Sequence, residues 1–147
     1  MFVHLRLHSE FSVVDGTCRI EDTVAAAAAD GQPALAITDL NSLFGAIKFY
    51  KAARGAGVKP VIGADVSVQG LGADPAHIGR LLLLVQNRQG YLNLCELLAR
   101  AWTRNVVRAQ GVLTLEWLRE LGEGLICLSG AQAGPVGQAL VQGDAAR

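Results

Sequence analysis

His4, Arg6 and His8 alternate near the start of the chain, in an apolar segment that runs into Ser9-Glu10-Phe11-Ser12-Val13-Val14-Asp15-Gly16. Side chains two apart on a β-strand point to the same face. A strand over Phe2 to His8 therefore puts these three residues on one side and leaves Phe2, Val3, Leu5 and Leu7 for packing. Two ligands at this spacing, followed by a carboxylate in the next loop, can hold a hydrophilic divalent ion. The middle position is Arg6, a permanent cation that cannot ligate a metal and repels one.

Three carboxylates extend the pattern. Asp15 follows the first strand, Asp39 ends Ala34-Leu-Ala-Ile-Thr-Asp39, and Asp65 lies in Gly63-Ala64-Asp65. Carboxylates converging beyond the C-terminal ends of parallel strands can bind Mg²⁺, Mn²⁺ or Zn²⁺ and lower the pKa of a bound water for phosphoester hydrolysis. Each alone also suits a turn or a helix cap. Ser9 and Ser12 lie near His8, but no Gly-x-Ser-x-Gly elbow is present, so their hydroxyls read as turn residues. His77 reads as a solvated loop residue. The run Gly130-Ala-Gln-Ala-Gly134 lacks both the Lys of a P-loop and dinucleotide spacing, and reads as a tight turn.

The elements that position these residues follow from periodicity. Strands are expected at Phe2 to His8, Ala34 to Thr38, Val58 to Val68, Leu81 to Gln86 and Leu125 to Ser129. Helices are expected at Ile20 to Asp30, Ser42 to Arg54, Tyr91 to Arg104, Thr114 to Leu121 and Pro135 to Val141. Gly31 and Pro33 stop the first helix, whose alanine run Ala25 to Ala29 has high helix propensity. The fold class is α/β, with repeated βα units and a mostly parallel sheet, either open and doubly wound or a barrel missing strands. The loop Gly70 to Pro75 joins the third and fourth strands. Asp144 to Arg147 follow the last helix without capping the fold, so a fragment is expected.

At 147 residues, with 51% hydrophobic and 18% charged residues, the chain suits one domain with a well-buried core. Thirteen basic residues balance thirteen acidic ones, so net charge gives no grip on nucleic acid or anionic membranes. Arg100, Arg104 and Arg108 are four apart and would share a helical face, as a basic patch or a solvated surface. Trp102 and Trp117 fall in amphipathic helices, where packing is the ordinary role. Cys18, Cys95 and Cys127 have no metal-site spacing and read as small core residues in a reducing compartment. No signal peptide or spanning segment is present in the sequence, which points to a soluble, cytoplasmic protein.

Taken in order, His4 to Gly16, Ala36-Ile-Thr-Asp39-Leu-Asn-Ser-Leu-Phe-Gly45-Ala-Ile-Lys-Phe-Tyr50, Gly57-Val-Lys-Pro60-Val-Ile-Gly63-Ala-Asp65, Gly90-Tyr91-Leu-Asn93-Leu and Glu123-Gly-Leu-Ile-Cys-Leu-Ser129-Gly130 resemble the polymerase and histidinol phosphatase (PHP) domain. More narrowly, they resemble the version at the N-terminus of bacterial DNA polymerase III alpha subunits. The resemblance implies that residues 1–147 are the N-terminal part of a distorted (β/α)7 barrel. It also implies a degenerate metal site. His8, Asp15 and Asp65 are vestigial ligand candidates, with support from Asp39. Ligand positions are lost at Arg6, Leu40, Arg80 and Ala131, and His4 is not a ligand position. Arg6 would then pair with Asp15, Asp39 or Asp65 in place of a metal's charge.

The implied role is a catalytically inactive scaffold for the polymerase core and the proofreading exonuclease subunit. The parent protein would be a DNA-directed DNA polymerase, a nucleotidyltransferase of chromosomal replication that touches DNA through its other domains. No cofactor is expected in this domain, no catalytic residue in this stretch and no membrane association. Mg²⁺ would serve the parent's polymerase domain, and Zn²⁺ or Mn²⁺ this site if it were active. The competing readings are a metal-dependent phosphoesterase or intrinsic 3'-5' proofreading exonuclease, and an unrelated small α/β binding module.

Overall fold

Ile20, Val24 and Ala27 recur at helical spacing and form the buried stripe of α1 (Ile20–Ala29) in a computed structural model that describes residues 2–71, 76–130, 134–141 and 143. The chain divides into two units, Met1–Ala64 and Asp65–Arg147. In the first, β1 (Ala34–Ile37) pairs in parallel with the opening residues of β2 (Lys59–Gln69), from Ala34↔Lys59 to Ile37↔Ile62. Helix α2 (Ala46–Gly55) adds Phe49 and Ala53 to a core of Ile20, Val24, Ala27, Leu35, Ile37 and Val58.

The α1 and α2 helices are tied at one corner by a cation. Lys48 Nζ lies 2.9 Å from Glu10 Oε1 and 3.1 Å from Glu21 Oε1. The second oxygen of Glu10 accepts the Ile20 N–H at 2.8 Å, one of the amides that a helix start leaves without an internal partner. Hydrogen bonding to Lys48 holds the Glu10 carboxyl below its ordinary range. The Glu21 carboxyl is lowered first by a backbone hydrogen bond and then by Lys48.

Two sequence expectations need correction here. Phe2 to His8 is not a regular strand. The His4 carbonyl accepts the Ala36 N–H at 2.9 Å and the Leu7 carbonyl accepts the Thr38 N–H at 2.8 Å, so this segment advances three residues while β1 advances two. Leu7 N–H turns to Thr38 Oγ1 at 2.9 Å instead of to a backbone carbonyl. An extra residue of this bulge-like kind breaks the alternation that would have aligned His4, Arg6 and His8. Phe2 is accordingly 63% exposed and Leu5 41% exposed. The second helix begins at Ala46 and not Ser42, because Asn41 adopts a left-handed φ of 50° and Ser42 Oγ accepts the Phe44 N–H in a turn.

In the second unit, the last residues of β2 pair in parallel with β6 (Leu113–Thr114), and β3 (Ile78–Val85) pairs antiparallel with β7 (Leu125–Leu128). The α/β fold class expected from the sequence thus holds, and the sheet is mixed, with the antiparallel β3–β7 pair beside the parallel ones. Along the buried stretch of β2, Asp65 and Ser67 share one face while Ala64, Val66 and Val68 take the other. Helix α3 (Arg88–Arg104) starts three residues before Tyr91, because Asn87 Oδ1 accepts the Gly90 N–H and caps it. Helices α4 (Leu115–Glu120) and α5 (Pro135–Val141) follow the sequence reading, the former capped by Thr114.

Two sequence motifs meet beside α3. An added Cβ at Gly90 would collide with the Gly124 carbonyl oxygen, so only glycine permits this approach. Asn93, buried one turn further, donates from Nδ2 to the Glu123 carbonyl at 2.9 Å. Arg108 leaves the arginine face, since α3 ends at Arg104 and Arg108 and Ala109, with φ of 51° and 61°, form the two-residue turn between β4 (Val106–Val107) and β5 (Gln110–Gly111). Arg100 binds Glu96 at 2.8 Å and Glu120 at 2.7 Å, as a solvated ion-pair network. Cys18 and Cys127 are exposed and Cys95 is half-buried, which corrects their reading as core residues. Parts of the Gly70 to Pro75 and Gly130 to Gly134 loops, and Asp144 to Arg147, lie outside the described residues.

Two predictions follow from the first unit. Phe49→Ala should cost about 3–5 kcal/mol in urea unfolding, while Phe44→Ala, at the solvent face of the same region, should stay within about 0.5 kcal/mol. Glu10 and Glu21 ionise more readily in the fold than in the unfolded chain, so their contribution is present above the unfolded-state value and lost as pH falls through the folded one. Lys48→Met should therefore lose less stability than the parent chain between about pH 6 and about pH 3, measured by denaturation across that range.

Candidate functional site

The first unit gathers His8, Asp15 and Asp39 around one loop. Asp39, two residues beyond β1 and buried, accepts from Ser9 twice: the backbone N–H reaches Oδ1 at 2.6 Å and the hydroxyl reaches Oδ2 at 2.9 Å. Ser9 Oγ in turn accepts the Phe11 N–H at 3.2 Å. Ser12 donates to Asp15 Oδ1 at 2.7 Å and accepts the Leu40 N–H at 3.1 Å. Both serine hydroxyls thus take part in the hydrogen bonds of this loop. Gly16 closes the loop with its N–H on the Ser12 carbonyl at 2.7 Å, where an added Cβ would run into the Ser9 carbonyl.

Electrostatics in this loop follow from burial. Desolvation raises the Asp39 carboxyl above its ordinary value, partly opposed by the two Ser9 hydrogen bonds and the nearby His8. Its ionised form gains less from folding than its protonated form. His8 Nδ1 lies 2.9 Å from Asp15 Oδ1, with the imidazole mostly buried and the carboxylate more open. His4 and Arg6 are exposed, and the His4 ring meets Phe2 edge-on with centroids 4.7 Å apart.

In the second unit Asp65 and Arg80 form their own pair. Arg80 Nε donates to Asp65 Oδ1 at 2.9 Å and Nη2 lies 2.9 Å from Oδ2, a two-pronged contact in which each carboxylate oxygen faces one nitrogen. Asp65 is almost wholly buried, while Arg80 reaches it from a partly exposed position on β3. The cation beside Asp65 in this pair is thus Arg80, a residue the sequence reading counted only as a lost ligand.

Taken unit by unit, the side chains suit a multinuclear metal centre poorly: in the first unit Arg6 is a fixed cation and Leu40 has no donor atom, and in the second Asp65 already faces the Arg80 guanidinium with both oxygens. Among the described residues, no three His, Cys, Asp or Glu side chains are grouped so as to hold a metal ion. Ala131 lies outside the described residues. His77 is exposed. Thr38 and Asn93 hold the loops in place, a role the sequence did not assign them because neither carries a local signal for a partner 31 or 30 residues away.

Comparison with known proteins places this geometry. The family described as PHP domain matches residues 4–147. The DNA polymerase III subunit alpha of Pseudomonas aeruginosa is 44% identical over 99% of this chain, and that of Escherichia coli 47% identical over 99%; in each case the match covers 12% of the relative. The chain thus spans about an eighth of the length of these curated relatives. A solved amidohydrolase from Chromobacterium violaceum superimposes with a TM-score of 0.53 and 24% identity, over 67% of this chain and 32% of that one, a likeness of fold alone. No helix among the described residues is long and apolar enough to cross a membrane.

The Asp65–Arg80 contact gives a direct test. Arg80→Met should destabilise the protein by about 1.5–3 kcal/mol, the usual worth of hydrogen bonds to a charged group. Combined with Asp65→Asn in a double-mutant cycle, the losses should fall short of additivity by about 1 kcal/mol or more. Additive losses would mean that the two residues are not coupled.

Proposed function

The chain belongs to the PHP domain family, and on that premise we propose that it is the N-terminal scaffold domain of a replicative DNA polymerase III alpha subunit, with a metal site that has lost its function. The observation that carries this reading is the similarity over 99% of the chain to relatives that bear that name, from Pseudomonas, Escherichia and, at 49% identity, Neisseria meningitidis. The parent protein adds nucleotides to a primer with Mg²⁺ held in another domain. This domain contributes packing to the polymerase core and a seat for the proofreading exonuclease subunit.

The side chains support a structural role for the old site. Carboxylates that would each need a cation have one from the protein: Arg80 beside Asp65 and, when protonated, His8 beside Asp15. His8, Asp15 and Asp65 then act as fold-holding residues, with Asp39 as the anchor of the loop that presents two of them. The protein works in the cytoplasm with the rest of the replication machinery.

Elemental analysis of the full-length protein, purified in low imidazole, is paired with a phosphoesterase assay in Mn²⁺ and Zn²⁺ and with primer extension in Mg²⁺. The expected result is Mg²⁺-dependent extension, no metal held by this domain and no hydrolysis that responds to Arg6→His or Asp65→Glu alone. Two tightly held ions with Mn²⁺-dependent hydrolysis abolished by Asp15→Asn would instead establish a phosphoesterase.

A further inference from the structure

Near the end of α3 the chain leaves a large aromatic ring in the open. Leu94, Leu97, Leu98 and Ala101 of this helix are buried, but Trp102 is 47% exposed. A Cβ added at Gly111 would come within 3.0 Å of the indole Cδ2, 3.1 Å of Cγ and 3.2 Å of Cε2. Near-equal distances to atoms around the ring fusion mean that the indole lies face-on against the backbone of β5. A side chain at 111 would press it away. The other face of the ring is the one that solvent reaches.

Two cations bracket the hairpin on which the ring rests. Arg104 closes α3 and leads into β4, and Arg108 sits at the left-handed turn between β4 and β5. Both are exposed, and among the described residues neither enters an ion pair. The neighbouring carboxylates are bound to Arg100: Glu120 gives it both oxygens, at 2.7 and 3.0 Å, and Glu96 one, at 2.8 Å. Arg104 reaches Glu120 only through its field. The zero net charge of the whole chain thus hides a local pair of guanidinium groups around an open aromatic face.

We propose that Trp102 and the β4–β5 hairpin form a binding site for single-stranded DNA, with a base stacked on the outer face of the indole and phosphates on Arg104 and Arg108. Stacking is sequence-tolerant because every base has a π-face, and arginines beside the ring hold the backbone that carries the base. A duplex fits poorly, since its base faces are already stacked on one another. An anionic lipid surface asks for several apolar side chains to insert, and here only Val106, 51% exposed, accompanies the indole. The choice of DNA as the strand rests on the polymerase reading above.

The test irradiates the full-length protein with a single-stranded DNA oligonucleotide carrying 5-iododeoxyuridine and maps the crosslinked peptides by mass spectrometry. The expected crosslink is at Trp102. Arg104→Glu with Arg108→Glu should lower its yield about tenfold or more, while Arg104→Lys with Arg108→Lys keeps most of it. Unlabelled single-stranded DNA should compete for the site, and duplex DNA or phosphatidylglycerol vesicles should not. No crosslink at Trp102, a yield indifferent to the charge reversal, or equal competition by duplex or vesicles overturns the proposal. Unchanged circular dichroism in the reversed variant separates a lost site from a lost fold. Primer extension by the same preparation keeps the two readings apart: a protein that extends primers without the Trp102 crosslink sinks this site alone, and one that fails to extend them sinks the polymerase reading.

Discussion

The first unit closes on the carboxylate of Asp39. By accepting both the amide and the hydroxyl of Ser9, it fixes the start of a loop whose every residue from 9 to 12 then finds a partner elsewhere. Glu10 reaches the first amide of α1 and Lys48 of α2, Phe11 comes up against Gly45, and Ser12 joins Leu40 to Asp15. Burying a carboxylate is costly, and the raised Asp39 pKa records that cost. Two short hydrogen bonds from one residue offset much of it, and they require Ser9 to be buried as well. The joint is thus tight because neither partner tolerates water in place of the other.

Asp65 meets the same difficulty with a different solution. It lies on the polar face of β2 and has almost no access to solvent, so its charge needs a neighbour of opposite sign. The Arg80 guanidinium supplies that charge, with Nε donating to one carboxylate oxygen and Nη2 lying 2.9 Å from the other.

The sequence made the elements with strong periodicity legible. α1 follows from Ile20, Val24 and Ala27, and β2, β3 and β7 from short apolar runs. It failed where a long-range partner overrules a local pattern. Alternation at His4, Arg6 and His8 suggested a strand, but Thr38 takes the Leu7 amide and shifts the register, which no residue within that segment signals. The antiparallel β3–β7 pair was missed for a related reason, since this pairing depends on where the chain returns after α4 and not on either strand's composition. At the candidate site, the residues were legible and their partners were not. Asp65 stood out by type and place, whereas Arg80 was visible only as a missing ligand.

That difference explains why ordered motifs need not mark chemistry. Gly16 is required because the Ser9 carbonyl occupies the space of a side chain, and Gly90 because Gly124 does. Asn93 is required because it satisfies the Glu123 carbonyl, and Thr38 because it satisfies the Leu7 amide. None of these contacts involves a ligand or a reacting atom. Each would be needed with or without chemistry nearby, since a buried backbone group left unpaired costs as much in an inert fold as in an enzyme. Motif residues of this kind report the closure of loops.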